Sequence, residues 1–184
     1  MTIRSKPAAR LVCAMFALTL ALGGCFPMKP EERPSEPPKP AVTPLSDEQA
    51  KAQVVNPANE IARAAQLQGI TGGFSFEACN DQGEPPYRGL VEMGFALPTD
   101  MEPTTFFEQI AKTMVGQGWT DGPPPGKRPF GTVIHKGPIM AIMGRHPTYK
   151  ENGYVQLSGE CRNMVDHRND GKTIAEDITE QLQP

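Results

Sequence analysis

Histidine and cysteine are scarce in this chain, three and four in 184 residues, and those present do not fall at the spacings that chemistry needs. No Cys-x-x-Cys occurs, no two histidines stand at i and i+4, and there is no Gly-x-Ser-x-Gly elbow. Neither a redox or zinc-binding cysteine pair nor nucleophilic or metal-assisted catalysis is supported by these spacings. A basic excess is missing too. From Cys25 onward 15 Lys and Arg stand against 21 Asp and Glu, a formal charge of −6, and the one local cluster is Lys127-Arg128 in a loop. Nucleic acid is not an expected partner, and the acidic balance argues against adhesion of the domain face to anionic lipid. Nor is there a run of about 20 apolar residues such as a transmembrane helix requires.

What the chain does have begins at residue 1. Arg4, Lys6 and Arg10 form a positive n-region, and residues 11–22 are an apolar stretch of signal-peptide length, too short to span and broken by Gly23-Gly24. Leu22-Gly23-Gly24-Cys25 reads as a lipobox: small residues let the chain lie extended in a peptidase groove, and the Cys25 thiol takes a diacylglyceryl group. A single acyl chain binds a bilayer only marginally, whereas two or three anchor it stably. The n-region has no Arg-Arg pair, so the general secretory route is expected. The predicted organisation is a signal peptide over 1–24, a lipidated cysteine with a Pro-rich tether over 25–45, and an extracytoplasmic domain over 46–184 with a polar C-terminal tail. In the tether, prolines alternating with charges favour an extended, solvated spacer of up to about 60 Å. The expected location is the cell membrane, lipid-anchored on its extracytoplasmic face.

Within the domain, Ser46-Asp47-Glu48 opens a helical pattern with apolar Ala50, Val54, Ile61, Ala65 and Leu67. Pro57 either kinks this helix or sits at the first turn of a second one capped by Asn56, and Gly69 ends it. Residues 72–79 and 88–97 alternate as half-buried strands, with Phe74, Phe76 and Ala78, then Val91, Met93, Phe95 and Leu97, inward. Pro103 starts a second helix with Phe106, Phe107, Ile110, Ala111 and Met114 on one stripe, and Trp119 reads as a core-edge anchor. Residues 132–135 and 139–145 read as a hairpin, 154–161 as the last strand, and 172–182 as a short helix. The predicted fold class is α+β: a single antiparallel sheet of about five strands, in α-β-β-α-β-β-β order, packed against helices on one face.

Cys79 and Cys161 remain as a pair in an oxidising compartment and are expected to be bridged. Alternation puts Cys79 opposite Phe74 and Phe76 but Cys161 on the face of Val155 and Leu157. The bridge therefore requires a bulge or a strand end at one of them. Bonding brings Asn80, Asp81 and Gln82 within reach of Glu160, Arg162, Asn163, Asp166 and His167. Of these, Asn80, Asp81, Gln82, Arg162, Asn163 and His167, together with Arg88, form the candidate binding surface, able to grip a polar ligand. The competing interpretation is favoured: hydrogen bonds and an ion pair that fasten a long loop to the end of a sheet. Asp81, Glu84, Asp166 and His167 carry donors for a divalent ion, yet their spacing matches no ion-binding loop. No metal, cofactor or catalytic residue is expected.

The strings Phe76-Glu77-Ala78-Cys79-Asn80-Asp81-Gln82-Gly83-Glu84-Pro85-Pro86-Tyr87-Arg88-Gly89, Gly118-Trp119 with the proline loop after it, and Gly159-Glu160-Cys161-Arg162-Asn163-Met164 resemble those of small Lpp-type, LppA-like lipoproteins of mycobacteria and related actinobacteria. The resemblance runs from the lipobox to about Arg168. It implies a cell-membrane lipoprotein of unassigned biochemical role and supplies no catalytic residues. The expected function is a non-catalytic binding or interaction module, not an enzyme. Its partners would be the bilayer, through acylated Cys25, and an envelope protein or small polar ligand. The runner-up is a small extracytoplasmic enzyme or a metal- or ligand-binding protein.

Overall fold

The computed structural model describes residues 43–183. The predicted signal peptide, Cys25 and most of the predicted tether lie outside the described residues. Helix α1 spans Asp47–Ala64 and starts on a complete capping box. The Ser46 hydroxyl accepts the Gln49 N–H (3.2 Å), and the Gln49 side chain accepts the Ser46 N–H (2.9 Å). Pro57 lies inside this single continuous helix. An interior proline costs about 3 kcal/mol; burial of Val54, Val55 and Ile61, at roughly 1.5–3 kcal/mol each, outweighs it.

The helix stops before Gly69. Gln66 takes the left-handed conformation at φ +51°, and the N–H groups of Leu67 and Gln66 reach back to the carbonyls of Ala62 and Arg63. This is a Schellman closure with glutamine in the position that glycine usually fills.

The sheet is antiparallel, with strands β1 (Thr71–Ala78), β2 (Tyr87–Ala96), β3 (Thr120–Asp121), β4 (Thr132–Lys136), β5 (Ile139–Arg145), β6 (Asn152–Ser158) and β7 (Glu176–Asp177), in the order β3-β4-β5-β6-β2-β1-β7. Alternation accounts for five of them. The two others are edge strands of two residues each, too short to carry a period. Helix α2 (Pro103–Val115) lays Phe107, Ile110, Ala111 and Met114 over β4 and β5, and α1 covers β2. Phe74, Phe76, Val91, Met93, Phe95, Ala141, Met143, Val155 and Leu157 point into the shared core. Trp119 is also buried, with the Lys136 ammonium 5.9 Å from its ring centroid.

The segment 172–182, for which the sequence favours a short helix, divides instead into β7 and a 3-10 turn, Thr179–Leu182. It is bound along the outer edge of β1. Phe76 donates to the Lys172 carbonyl, Gly73 and Phe74 pair with β7, and the Gly72 N–H reaches the Thr179 hydroxyl. Ile178 and Leu182 fill the core beneath it. An otherwise open sheet edge is thus covered.

Candidate functional site

Both cysteines stand just past strand ends, Cys79 after Ala78 and Cys161 after Ser158, and they are disulfide-bonded with their Cα atoms 6.0 Å apart. Strand ends at both partners free the side chains from the alternation that separates their faces. The strand read over 154–161 is β6, which stops at Ser158, short of Cys161.

The loop after Cys79 is closed by its own asparagine. Asn80 Oδ1 accepts the N–H groups of Gln82 and Glu84 (3.1 and 3.2 Å), and Nδ2 donates to the carbonyls of Glu84 and Pro85 (2.8 and 3.3 Å). All four hydrogen-bonding positions of the amide are used within the loop, leaving none for a ligand. The Tyr87 hydroxyl donates to the Gly83 carbonyl. Asp81 is exposed and Gln82 spends its N–H on Asn80.

On the other side of the disulfide, Arg162 grips the first described residues, before α1. Its Nε and Nη2 both donate to the Thr43 carbonyl (2.9 and 2.5 Å), its carbonyl accepts the Leu45 N–H (2.9 Å), and its Nη1 pairs with Glu160 (3.0 Å). Glu160 is in turn held by Gln53 of α1, which donates to the carboxylate (2.7 Å) and accepts the Glu160 N–H (2.8 Å). Asn163 is fully buried and exchanges backbone hydrogen bonds with Tyr87. Its amide donates to Asp47 Oδ1 (2.7 Å) and accepts the Val165 N–H (2.9 Å).

His167 is also fully buried. Its ring stacks on Phe76 (centroids 4.1 Å apart, planes at 20°) and meets Tyr87 edge-on (5.0 Å). Nδ1 donates to Asp170 (2.7 Å), and Nε2 faces Asp47 Oδ1 at 3.5 Å, too far for a made hydrogen bond. Lys172 closes the group on Asp47 Oδ2 (2.5 Å). Burial pushes the Asp47 carboxyl up, but hydrogen bonds from Lys172 and Asn163 and the Lys172 charge hold it below its ordinary value. The His167 hydrogen bond and the Lys172 N–H lower Asp170 in the same way, and Asp47 raises Lys172. These are fixed charges that tie the start of α1 to the C-terminal segment.

Two clefts flank this region. One, of about 310 Å³, lies between α1, β1 and the C-terminal segment. Phe74 and Phe76 form its floor, and Lys51, Lys172, Glu176 and the exposed Ile174 stand around its mouth. Lys51 sits 5.2 Å from the Phe74 ring centroid and pairs with Glu176 (2.8 Å). The other, of about 360 Å³, is bordered by Arg88, Lys127, Met140, Glu160 and Arg162. Arg88 is paired across the strands with Glu77.

The seven residues of the candidate surface are therefore not one site. Asn163 and His167 belong to the clasp around Asp47, Arg162 grips Thr43 and Glu160, Asn80 closes its own loop, Arg88 lies on the sheet at the border of the cleft it shares with Arg162, and Asp81 and Gln82 stand apart. Nor do Asp81, Glu84, Asp166 and His167 converge as ligands. Glu84 and Asp166 share Arg168 (2.9 and 2.6 Å), and among the described residues no three His, Cys, Asp or Glu side chains gather to hold a metal ion. Sequence reasoning missed Asp47, Gln53, Asp170 and Lys172. Asp47 resembles any first-turn helix acid, and nothing local signals its partners more than 100 residues away.

The domain built this way has relatives among known proteins. A family described as "Putative lipoprotein LppJ" matches residues 46–181. Proteins of that description from Mycobacterium tuberculosis and Mycobacterium bovis are 46% identical to it over 139 residues, covering 76% of this chain and 72% of theirs. No solved structure matches it. The Lpp-type resemblance is borne out, its branch being LppJ.

Proposed function

This chain belongs to the LppJ lipoprotein family, and from that premise we propose that it is a membrane-anchored envelope module, acylated at Cys25, that binds a ligand on its extracytoplasmic domain without transforming it. The observation that carries the binding role is the cleft between α1, β1 and the C-terminal segment. Phe74, Phe76 and Ile174 supply its apolar lining, and ammonium and carboxylate groups at its mouth supply orientation, the composition of a small-molecule site. The favoured ligand has an apolar or aromatic body and a charged end.

A non-catalytic role is supported by how those charges are held. A general acid or base works best with a pKa near the operating pH. Asp47 and Asp170 lie below the ordinary carboxylate value and Lys172 above the ordinary amine value, so all three stay ionised. His167 is sealed under Phe76 and Tyr87.

The test is native mass spectrometry of the acylated protein, recovered in mild detergent from its own membranes, beside Ile174→Arg and Lys51→Glu. Ile174 is exposed at the rim, so its replacement leaves the core intact. The proposal expects an added mass on the wild type that both variants lose. An added mass carried equally by all three would place the ligand elsewhere, and unliganded protein that turns over a substrate would favour the enzyme reading.

A further inference from the structure

Phe130 is 96% exposed, the most accessible large apolar side chain among the described residues. It stands in the β3–β4 connection, Gly122-Pro123-Pro124-Pro125-Gly126-Lys127-Arg128-Pro129-Phe130-Gly131, where the prolines fix much of the backbone. A stiff loop loses little conformational entropy when its tip becomes ordered. Lys127 and Arg128 are both exposed, and neither belongs to an ion pair among the described residues. The loop thus presents two uncompensated cations beside an aromatic ring on a chain whose overall charge is negative.

Its position bears on its use. Lys127 borders the same cleft as Arg162, and Arg162 is the residue that holds Thr43 where the spacer joins the domain. The exposed Met164 and Val165 lie at that junction as well, directly after Asn163, which bridges Leu45. About twenty residues separate Cys25 from this point, a length that lets the domain reach the bilayer holding its anchor.

We propose that the proline loop is a membrane-contact element. Phe130 enters the headgroup region, and Lys127 and Arg128 rest on anionic phospholipid, so that the domain lies against the bilayer with its spacer side inward. This rests on acylation at Cys25, proposed above. The domain's net negative charge does not oppose it decisively: Glu160, on the same cleft as Lys127, is paired with Arg162, and repulsion from carboxylates beyond about 8–10 Å is screened, so the sign at the tip decides. A loop with one aromatic and two cations binds too weakly to recruit a free protein. Tethering raises its effective concentration at the surface to the order of millimolar, enough for such a contact to be populated.

The experiment uses the full acylated chain, purified from its own membranes, as Phe130→Trp in vesicles of brominated phosphatidylcholine with phosphatidylglycerol. Trp119 is the chain's one native tryptophan and is buried, so the wild type supplies the background. The expected result is a blue-shifted emission at position 130, quenched by the brominated chains well beyond that background. Removing phosphatidylglycerol, or adding Lys127→Glu and Arg128→Glu, should lower the inserted population by about fivefold per cation, and raised salt should weaken it. A chain that floats with the vesicles while the introduced indole stays red-shifted and unquenched overturns the loop contact and leaves the anchor standing; the loop then faces solvent or a protein. A chain that does not float with vesicles overturns the anchor and the loop contact together.

Discussion

Gln66 and Gly89 show how a single backbone position constrains this fold. A non-glycine residue at φ +51° carries a steric cost of about 1 kcal/mol in the left-handed region. Gln66→Gly should therefore raise stability by about 0.5–1 kcal/mol, read as a higher midpoint in urea with an unchanged slope. Gly89 is the reverse case. A Cβ there would lie 2.5 Å from the Ala50 carbonyl oxygen and 3.0 Å from Val54 Cγ2, because α1 crosses β2 at that point. The carbonyl belongs to a capped helix and cannot retreat, so Gly89→Ala should cost about 3 kcal/mol in the same titration. The polar residues singled out in the sequence behave likewise. Arg162→Ala removes the grip on Thr43 and Asn80→Ala opens the loop after Cys79. Each should lower the thermal midpoint by about 1 kcal/mol equivalent without changing the mass of ligand carried. An unmoved midpoint with a lost ligand would return these residues to a binding site.

At the scale of elements, the C-terminal segment is fastened by charge as much as by packing. Asp47 and Asp170 have folded-state values below their ordinary 3.8. The stability they contribute is therefore present above pH about 4 and is lost as the pH falls through their folded values. Hydrogen exchange should show β7 and the 3-10 turn opening before β2 and β6 as the pH drops below about 4. Asp47→Asn with Asp170→Asn should flatten that dependence. Opening that follows the same acid profile in the double variant would mean that other groups hold the segment. The strands and helices around it are legible in the sequence because an amphipathic period survives over eight or more residues: β1, β2 and α2 are read almost to their ends. The C-terminal segment is not legible. Ile178 and Leu182 stand at helical spacing, but Glu176 and Asp177 are committed to the β1 edge, leaving four residues for a 3-10 turn. The clasp is equally hidden, since its links run from Asp47 to Asn163 and Lys172 and no local pattern records them.

At the scale of the whole molecule, one covalent link joins the segment after β1 to the segment after β6. Cys79 and Cys161 are 82 residues apart, and closing a loop of that size stabilises by roughly 4–5 kcal/mol in the chain-entropy model. Reduction should lower the thermal midpoint by on the order of 10–20 °C and loosen Thr43 and Leu45, which hang on Arg162. That pairing is legible from compartment and cysteine count alone; the surface it organises is not, because a local turn and a long-range clasp draw on the same polar residue types. The proposed envelope role and the loop contact require a domain held at a membrane by a lipid, and intact-mass analysis of the protein isolated from its native cells tests that most directly. The expected result is a mature chain beginning at Cys25 and carrying a thioether-linked diacylglyceryl group. A mass that retains residues 1–24, or an unmodified Cys25, would contradict it.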